Sequence, residues 1–425
     1  MRRPLLRTRF LPLVGTVLLG VMLGLAAASW AYTSSANNPS VPPGASGGAD
    51  SPATLSAAPE PSYVDIRLAC VGDILIHNTV YRAAQTSDGY DFKPQFRHVK
   101  PYLEAADLTI ANLETTLAGA SQGYSGYPQF NSPDEIAEAL YDAGVDVLTT
   151  ANNHCMDQGR AGFFRTLDVA RDSGLAVIGT RKTAEEPAYL VREIKGVNVG
   201  ILNFGYGSRS GSNAYINGLP LPADMAGLLN FLDYGRLDEE FGQLQSVVAA
   251  MRQDGAQLLV ACMHWGNEYQ RYSQVLQQKT ARELAALGVD IIFGSHPHVV
   301  QEAAWIEAPD KTRKTLVYYS LGNFISDQRL ETVNDIYTEQ GLIADVTVRC
   351  YADGTHEIQQ AAYLPTWVNK KSNGSLRFYE VIPVPDALND FSAFPALVEA
   401  DRARITFCQK SVDELMTGLL RADQP

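Results

Sequence analysis

From Val64 onward, short apolar runs alternate with longer segments whose apolar positions recur at helical spacing. The run "DIRLACVGD" reads as a strand ending at Gly72-Asp73, and "DLTIANLE" as a second, ending in Asn112-Leu113-Glu114. "SPDEIAEALYDAG" predicts a helix with Ser132 as N-cap, Pro133 in the first turn, Glu135 completing a capping box and Gly144 closing it. "VDVLTT" is the next strand, followed at once by "ANNH", and a helix over 159–173 leads to the strand "LAVIG". "AYLVREIKGVNVGILNF" predicts a hairpin turning at Lys195-Gly196. Residues 205–234, rich in Gly, Asn, Ser and Pro, read as an irregular stretch long enough for a lid. A helix near 238–254 precedes the strand "QLLVACMH", and one over 274–287 precedes "VDIIFGSHPH". The remaining runs, "KTLVYYSLGNF", "GLIADVTVRC" and "HEIQQAAYLP", are strands without helices between them.

Strands separated by helices imply parallel βαβ units, and the later strands imply an antiparallel sheet. The expected class is α/β, a four-layer α/β/β/α sandwich with helices outside two central sheets. No internal repeat of fixed period is present.

The first 32 residues follow another pattern. Arg2, Arg3, Arg7 and Arg9 precede a stretch from Leu11 to Tyr32 without a charged residue. That stretch is long enough to span a bilayer, and the one-sided arginines place the N-terminus in the cytoplasm and the body outside. A cleavable signal peptide is the rival, with small residues at Ala26-Ala27-Ala28 and around Ser29-Trp30-Ala31; the length of the apolar run favours a single-pass anchor in the cell membrane. Residues 33–62, rich in Ser, Ala, Pro, Gly and Asn, read as a disordered tether. The expected domains are thus the anchor (1–32), the tether (33–62), a body over 63–390 and a C-terminal helical extension over 391–425.

The net charge of −13 leaves no basic surplus to replace phosphate counterions, which argues against nucleic-acid binding. The five cysteines are odd in number and widely spaced, so they read as buried thiols and not as a disulfide framework.

The chemistry lies at the strand ends. Asp73, with His77 four residues on, follows the first strand and Glu114 the second; Asn152, Asn153 and His154 follow the third. His264 ends "QLLVACMH", and His296 and His298 follow "VDIIFGS". The C-terminal ends of parallel strands converge on one edge, where ligands bind. Imidazoles with carboxylates suit a divalent transition metal, Mn, Fe or Zn, and a carboxylate can bridge a pair of such ions. His-x-His in a loop stiffened by Pro297 lets both rings reach neighbouring ions. Singly each residue reads as a turn or a satisfied polar group; sharing one topological position, they read as a site for one or two metals.

At this point a resemblance enters. "GDILIH", "NLET", "ANNHCMDQG", "HWGNEY", "GSHPHVVQ" and "SLGNFISDQ" resemble the ordered signature blocks of the CapA-type capsule-synthesis proteins, similar in fold to the calcineurin-like metallophosphoesterases. The resemblance covers about Val64 to Pro385. It implies a role in poly-γ-glutamate capsule synthesis or export, an anionic polymer as ligand, and other membrane subunits of a capsule synthase as partners. Carried over residue by residue, it implies Asp73 and His298 as ligands of a first metal, Glu114 as the bridge, Asn153, His264 and His296 as ligands of a second, and His154 as the catalytic histidine at the scissile group. His77, Asn152, Asp157, Glu268 and Asn323 are candidates for substrate contact or for orienting the ligands, with Asp157 otherwise a cap for the following helix and Asn323, with Ser320, placed at the rim. This chain departs from the phosphoesterase pattern in two ways. His77 stands two residues beyond the usual Asp-x-His position, and Glu114 replaces an aspartate. The reaction expected is metal-assisted hydrolysis or transfer at an acyl or phosphoryl centre; a non-catalytic polymer-binding subunit and a generic metallophosphodiesterase remain open alternatives. Arg209, Lys370 and Lys371 are the cations expected to offset the acidic balance near the site.

Overall fold

The structure is a computed structural model that describes residues 62–373 and 376–422. The expected anchor and tether, Ser62 apart, lie outside the described residues; among those described, no helix is long and apolar enough to cross a membrane.

Two mixed sheets face each other. In the first, Tyr63–Ile74 pairs in parallel with Leu108–Leu113, and Val147–Thr149 and Ala176–Ile178 continue the parallel run. On the other flank Gln340–Tyr351 pairs antiparallel with Tyr63–Ile74, and His356–Asn373 and Leu376–Pro383 extend the meander. In the second sheet Val197–Ser210, Leu258–His264, Ile291–Ser295 and Lys314–Tyr318 run parallel, with Tyr189–Ile194 and Ala303–Glu307 antiparallel on them. The late strands therefore do not make a sheet of their own. Lys314–Tyr318 joins the second sheet, while Gln340–Tyr351 and His356–Asn373 complete the first, because the register of Gln340–Tyr351 against Tyr63–Ile74 covers the flank left open by the parallel units.

Strand alternation explains the layering. Ile66, Leu68 and Cys70 point between the sheets and meet Leu258, Val260 and Cys262 of the opposite sheet in one core. Their neighbours Ala69 and Val71 point outward, to Val80, Phe96, Leu103, Ile136 and Leu140 of the covering helices. Leu259, Ala261 and Met263 do the same under Leu244, Val248 and Met251 of the helix Leu237–Gln253 and Leu284 of the helix Val275–Leu287. Strands buried on both faces must be apolar throughout, hence "LACV" and "LLVACM". The fold is the expected four-layer α/β/β/α sandwich. The helix Glu399–Asp413 adds Ile405, Cys408 and Val412 to the inter-sheet core. All five cysteines are buried free thiols.

Two local expectations are corrected. Ser132 does not cap a helix: the helix starts at Glu135 after Asp134, and the Ser132 hydroxyl bonds Thr115 Oγ1 at 2.7 Å. The stretch 205–234 is largely ordered β structure. Its first residues prolong the hairpin strand to Ser210, Asn213–Ile216 and Leu219–Leu221 fold back, and Phe231–Asp233 returns beside the same strand. Its polar composition hid short strands whose alternate residues, among them Ala214, Ile216 and Leu221, fill a small core of their own.

Behind the strand ends of the second sheet, glycine lets the segment that follows Lys314–Tyr318 pack against Ile291–Ser295. A Cβ on Gly294 would stand 1.9 Å from the Tyr319 carbonyl oxygen and 2.6 Å from Trp265 Nε1. Gly294→Ala is expected to lower the free energy of unfolding by about 3 kcal/mol, the upper range for forced overpacking, read from the urea midpoint. An unchanged midpoint would mean that these strand ends can separate without loss.

Candidate metal centre

The site lies where the C-terminal ends of the parallel strands of both sheets meet. The first sheet contributes Asp73, Glu114, Asn153 and His154; the second contributes His264, His296 and His298. All seven side chains are buried.

Asp73 Oδ1 accepts a hydrogen bond from Asn112 Nδ2 at 2.8 Å, and the same amide nitrogen donates to Glu114 Oε2 at 3.2 Å. Asp73 Oδ2 accepts from His298 Nδ1 at 2.9 Å. Glu114 Oε1 has no hydrogen-bond partner among the described residues; it lies 3.6 Å from His264 Nε2 and 3.7 Å from His298 Nε2. His264 Nε2 is 2.7 Å from Asn153 Oδ1, and its Nδ1 is 3.0 Å from Ser295 Oγ. His296 Nδ1 is a second buried atom without a partner.

These donors form two groups joined through one residue: Asp73, Glu114 and His298, and Glu114, His264 and His296, each with ligand atoms within 4.8 Å of one another. Such a set suits divalent cations of the transition series. Burial pushes His264 and His296 well below the ordinary imidazole range, so both rings are neutral, as ligation requires. Burial, with the Asp73 carboxylate beside it, pushes Glu114 far above the carboxylate range. Carboxylates and unpartnered ligand atoms packed out of water are costly unless a cation compensates them, so the donor set fits such ions.

The His296-Pro297-His298 loop holds both rings by an unusual backbone. His296 has φ 96° and His298 φ 57°, left-handed values that cost non-glycine residues energy. The surroundings impose them. The His296 N–H points at the Asp73 carboxylate at 3.3 Å, the Tyr269 N–H donates to Pro297 O at 2.8 Å, and Asn323 Nδ2 donates to His298 O at 3.2 Å.

Beside the ligands opens a cavity of about 240 Å³, lined among others by His77, Tyr127, Phe130, His154, Glu268 and Asp327. His154 Nδ1 donates to Asp157 Oδ2 at 2.7 Å, and Asp157 Oδ2 also accepts the Phe130 N–H at 2.7 Å. Asp157 is therefore no helix cap; the helix Gly159–Asp172 has no side-chain cap. Asn152 bonds the Leu113 carbonyl through Nδ2 and accepts the His154 N–H, so it fixes the loop without entering the cavity. His77 belongs to neither donor group. It lines the cavity, edge-on to Phe130, and burial pushes it down to about 4. Asn323 and Ser320 are fully buried and do not reach the rim. Of the cations expected nearby, only Lys370 approaches, through its ion pair with Asp327; Arg209 pairs with Glu240 and Lys371 with Asp401.

Residues 67–328 match the family described as bacterial capsule synthesis protein PGA_cap, more than half of the chain. The chain belongs to this family. It is 28% identical over 268 residues to the capsule biosynthesis protein CapA of Bacillus anthracis, covering 62% of this chain and 60% of that one. It is 27% identical over 264 residues to the PGA biosynthesis protein CapA of Bacillus subtilis strain 168, covering 61% and 62%. The match thus spans less than two thirds of either relative's length. Among solved structures, the NAD nucleotidase of Haemophilus influenzae superposes with a TM-score of 0.46 at 12% identity, over 86% of this chain and 65% of that one. All the residues of the two donor groups, Asp73 included, lie within the stretch that the family match covers.

Three groups at the site escaped the sequence reading. Asn112 joins the two carboxylates, and its place two residues before Glu114, on the same strand face, was a usable signal. Ser295 supports His264. Tyr206 stacks on His264 at 6.2 Å and lies tilted against His296 at 4.8 Å, but it comes from the stretch that looked irregular and carried no pattern.

Without cations, the buried carboxyl and the buried histidines make stability depend on pH with opposite signs. A carboxyl raised above its ordinary 4.5 favours the fold below that value and loses this contribution as pH rises through its folded value. Histidines lowered from 6.5 contribute fully above that value and lose it as pH falls. Glu114→Gln is therefore expected to melt higher than wild type at about pH 7.5 without cations, roughly 2–4 °C per kcal/mol gained, with the difference vanishing toward acid. Equal melting at neutral pH would mean that Glu114 ionises there without penalty.

Proposed function

We propose that the protein is a metal-dependent hydrolase or transferase acting on an acyl or phosphoryl centre of an anionic capsular polymer such as poly-γ-glutamate, held at the outer face of the membrane by its N-terminal segment. The observation that carries this reading is the pair of donor groups sharing Glu114 beside a cavity lined by His154. The family and the two CapA relatives support the link to capsule biosynthesis. The arginine-led uncharged segment at 1–32 supports the membrane placement.

Divalent cations, of Mn, Fe or Zn type, would be held by Asp73, Glu114 and His298 and by Glu114, His264, His296 and Asn153. Bound there they would supply Lewis acidity and an activated water. The chain's own work is positional and protonic. Asp157 accepts from His154 Nδ1 and so fixes the tautomer, which leaves Nε2 as the ring nitrogen free to exchange a proton with the leaving group. Phe130 packs edge-on against the His154 ring at 4.7 Å and keeps its plane. Lys370, Tyr379 and Thr79 hydrogen-bond Asp327 and, against the effect of burial, hold it below the usual carboxylate range, so that Asp327 adds a paired charge to the cavity wall. The membrane partners are other subunits of a capsule synthase.

The test pairs metal content with turnover. Wild type should carry close to two ions per chain and turn over either an aryl phosphodiester or a γ-glutamyl anilide. His154→Ala should keep the ions and lose about 10²–10⁴-fold in kcat, the usual worth of a general acid or base; His298→Ala should lose ions as well. Bound ions without turnover of any acyl or phosphoryl probe would sink the catalytic reading and leave polymer binding.

A further inference from the structure

Glu268 differs from the other carboxylates of the centre. It is exposed, yet its carboxylate lies within 4.8 Å of ligand nitrogens of both His296 and His298. Those two histidines belong to different donor groups, so Glu268 approaches both sides of the pair. Glu114 reaches the same region from the buried side. One of the two rings, His296, is buried and carries an Nδ1 with no hydrogen-bond partner among the described residues.

The loop that carries Glu268 is built to hold this position. Gly266, at φ 87°, turns the chain against the Gln277 side chain, which a Cβ would meet at 2.7 Å. Tyr269 adopts φ 63° and ties its N–H to the carbonyl of Pro297, between the two histidines. The Tyr269 hydroxyl is held by Gln328 Nε2 at 3.2 Å, and burial together with the adjacent Glu268 charge pushes it above its ordinary value. A ligand carboxylate needs such a partner to orient it.

We propose that Glu268 is a further cation ligand, closing the centre on its solvent side opposite Glu114. This rests on the reading of the site as a cation centre. A carboxylate at the cavity mouth is the group that an incoming substrate carboxylate or phosphate can replace, since it presents the same oxygen donors and costs little to release into water.

The test titrates Mn²⁺ into the chelator-stripped full-length protein by calorimetry, at low salt and at about 0.5 M salt, where an unligated surface charge is screened. Glu268→Gln should weaken Mn²⁺ binding about tenfold, the lower range for loss of a supporting or ligating group, and equally at both salt concentrations. Glu268→Asp should recover part of the loss. Exposure of Glu268 predicts unchanged melting of the metal-free variants. Affinity equal to wild type in Glu268→Gln, or a loss that disappears in salt, overturns the ligand role and leaves the centre intact. No Mn²⁺ binding by wild type overturns the cation reading itself.

Discussion

The structure turns on two carboxylates, Asp73 and Glu114, placed out of water and sharing one amide donor, Asn112. Like charges so arranged repel, and Glu114 is driven toward its neutral form. Nothing in the apolar core relieves this. The relief available to the chain is the set of imidazoles around them, of which His264 and His296 are kept neutral by burial and so can donate lone pairs to a cation. Stability is spent here on a site, which is the usual pattern where function and folding compete.

That constraint accounts for the architecture around it. Carboxylates from one sheet must meet histidines from another, so two sheets must end at the same level and close together. Glycine lets the segment that runs on from the second sheet seat itself against the strand carrying Asp73: a Cβ on Gly72 would stand 1.9 Å from the carbonyl of Gly322, which itself accepts the Asp73 N–H at 2.9 Å. The left-handed backbone at His296 and His298 belongs to the same bargain. Three separate elements, carrying Asp73, Tyr269 and Asn323, each fix one peptide of that loop. Strain at the ligands persists because the fold determines it from several directions.

Much of this was legible in the sequence because parallel strands buried on both faces are continuous apolar runs, and their ends announce themselves by a sudden cluster of Asp, Asn or His. The strand ends, the helices over 159–173 and 238–254 and the hairpin at Lys195-Gly196 could be read from period and punctuation. What could not be read is what depends on pairing partners. The late strands read as a separate sheet because period says nothing about which edge a strand joins. The stretch 205–234 read as irregular because short strands in a polar context have too few residues to show alternation, and so Tyr206 was missed. Asp157 read as a cap because it precedes a helix; its bond to His154 is tertiary and leaves no mark at that spacing.

The position of His77 shows how a small change in spacing redirects a side chain. A histidine two residues after Asp73 would continue the strand and stay beside the carboxylate; four residues on, it stands at the N-cap of the next helix, with its Nδ1 3.1 Å from the N–H of Asp327. A buried backbone N–H needs an acceptor, and meeting that need holds Nδ1 away from the ligand set. The ring is left in the cavity wall, edge-on to Phe130, which also meets the His154 ring. With its proton lost down to about 4, it enters the cavity as a neutral group. Glu114 compensates on the opposite side: one methylene longer than aspartate, it reaches toward both His264 and His298. The centre thus exchanges a histidine for the longer reach of a carboxylate and gains a second imidazole in the cavity wall beside His154.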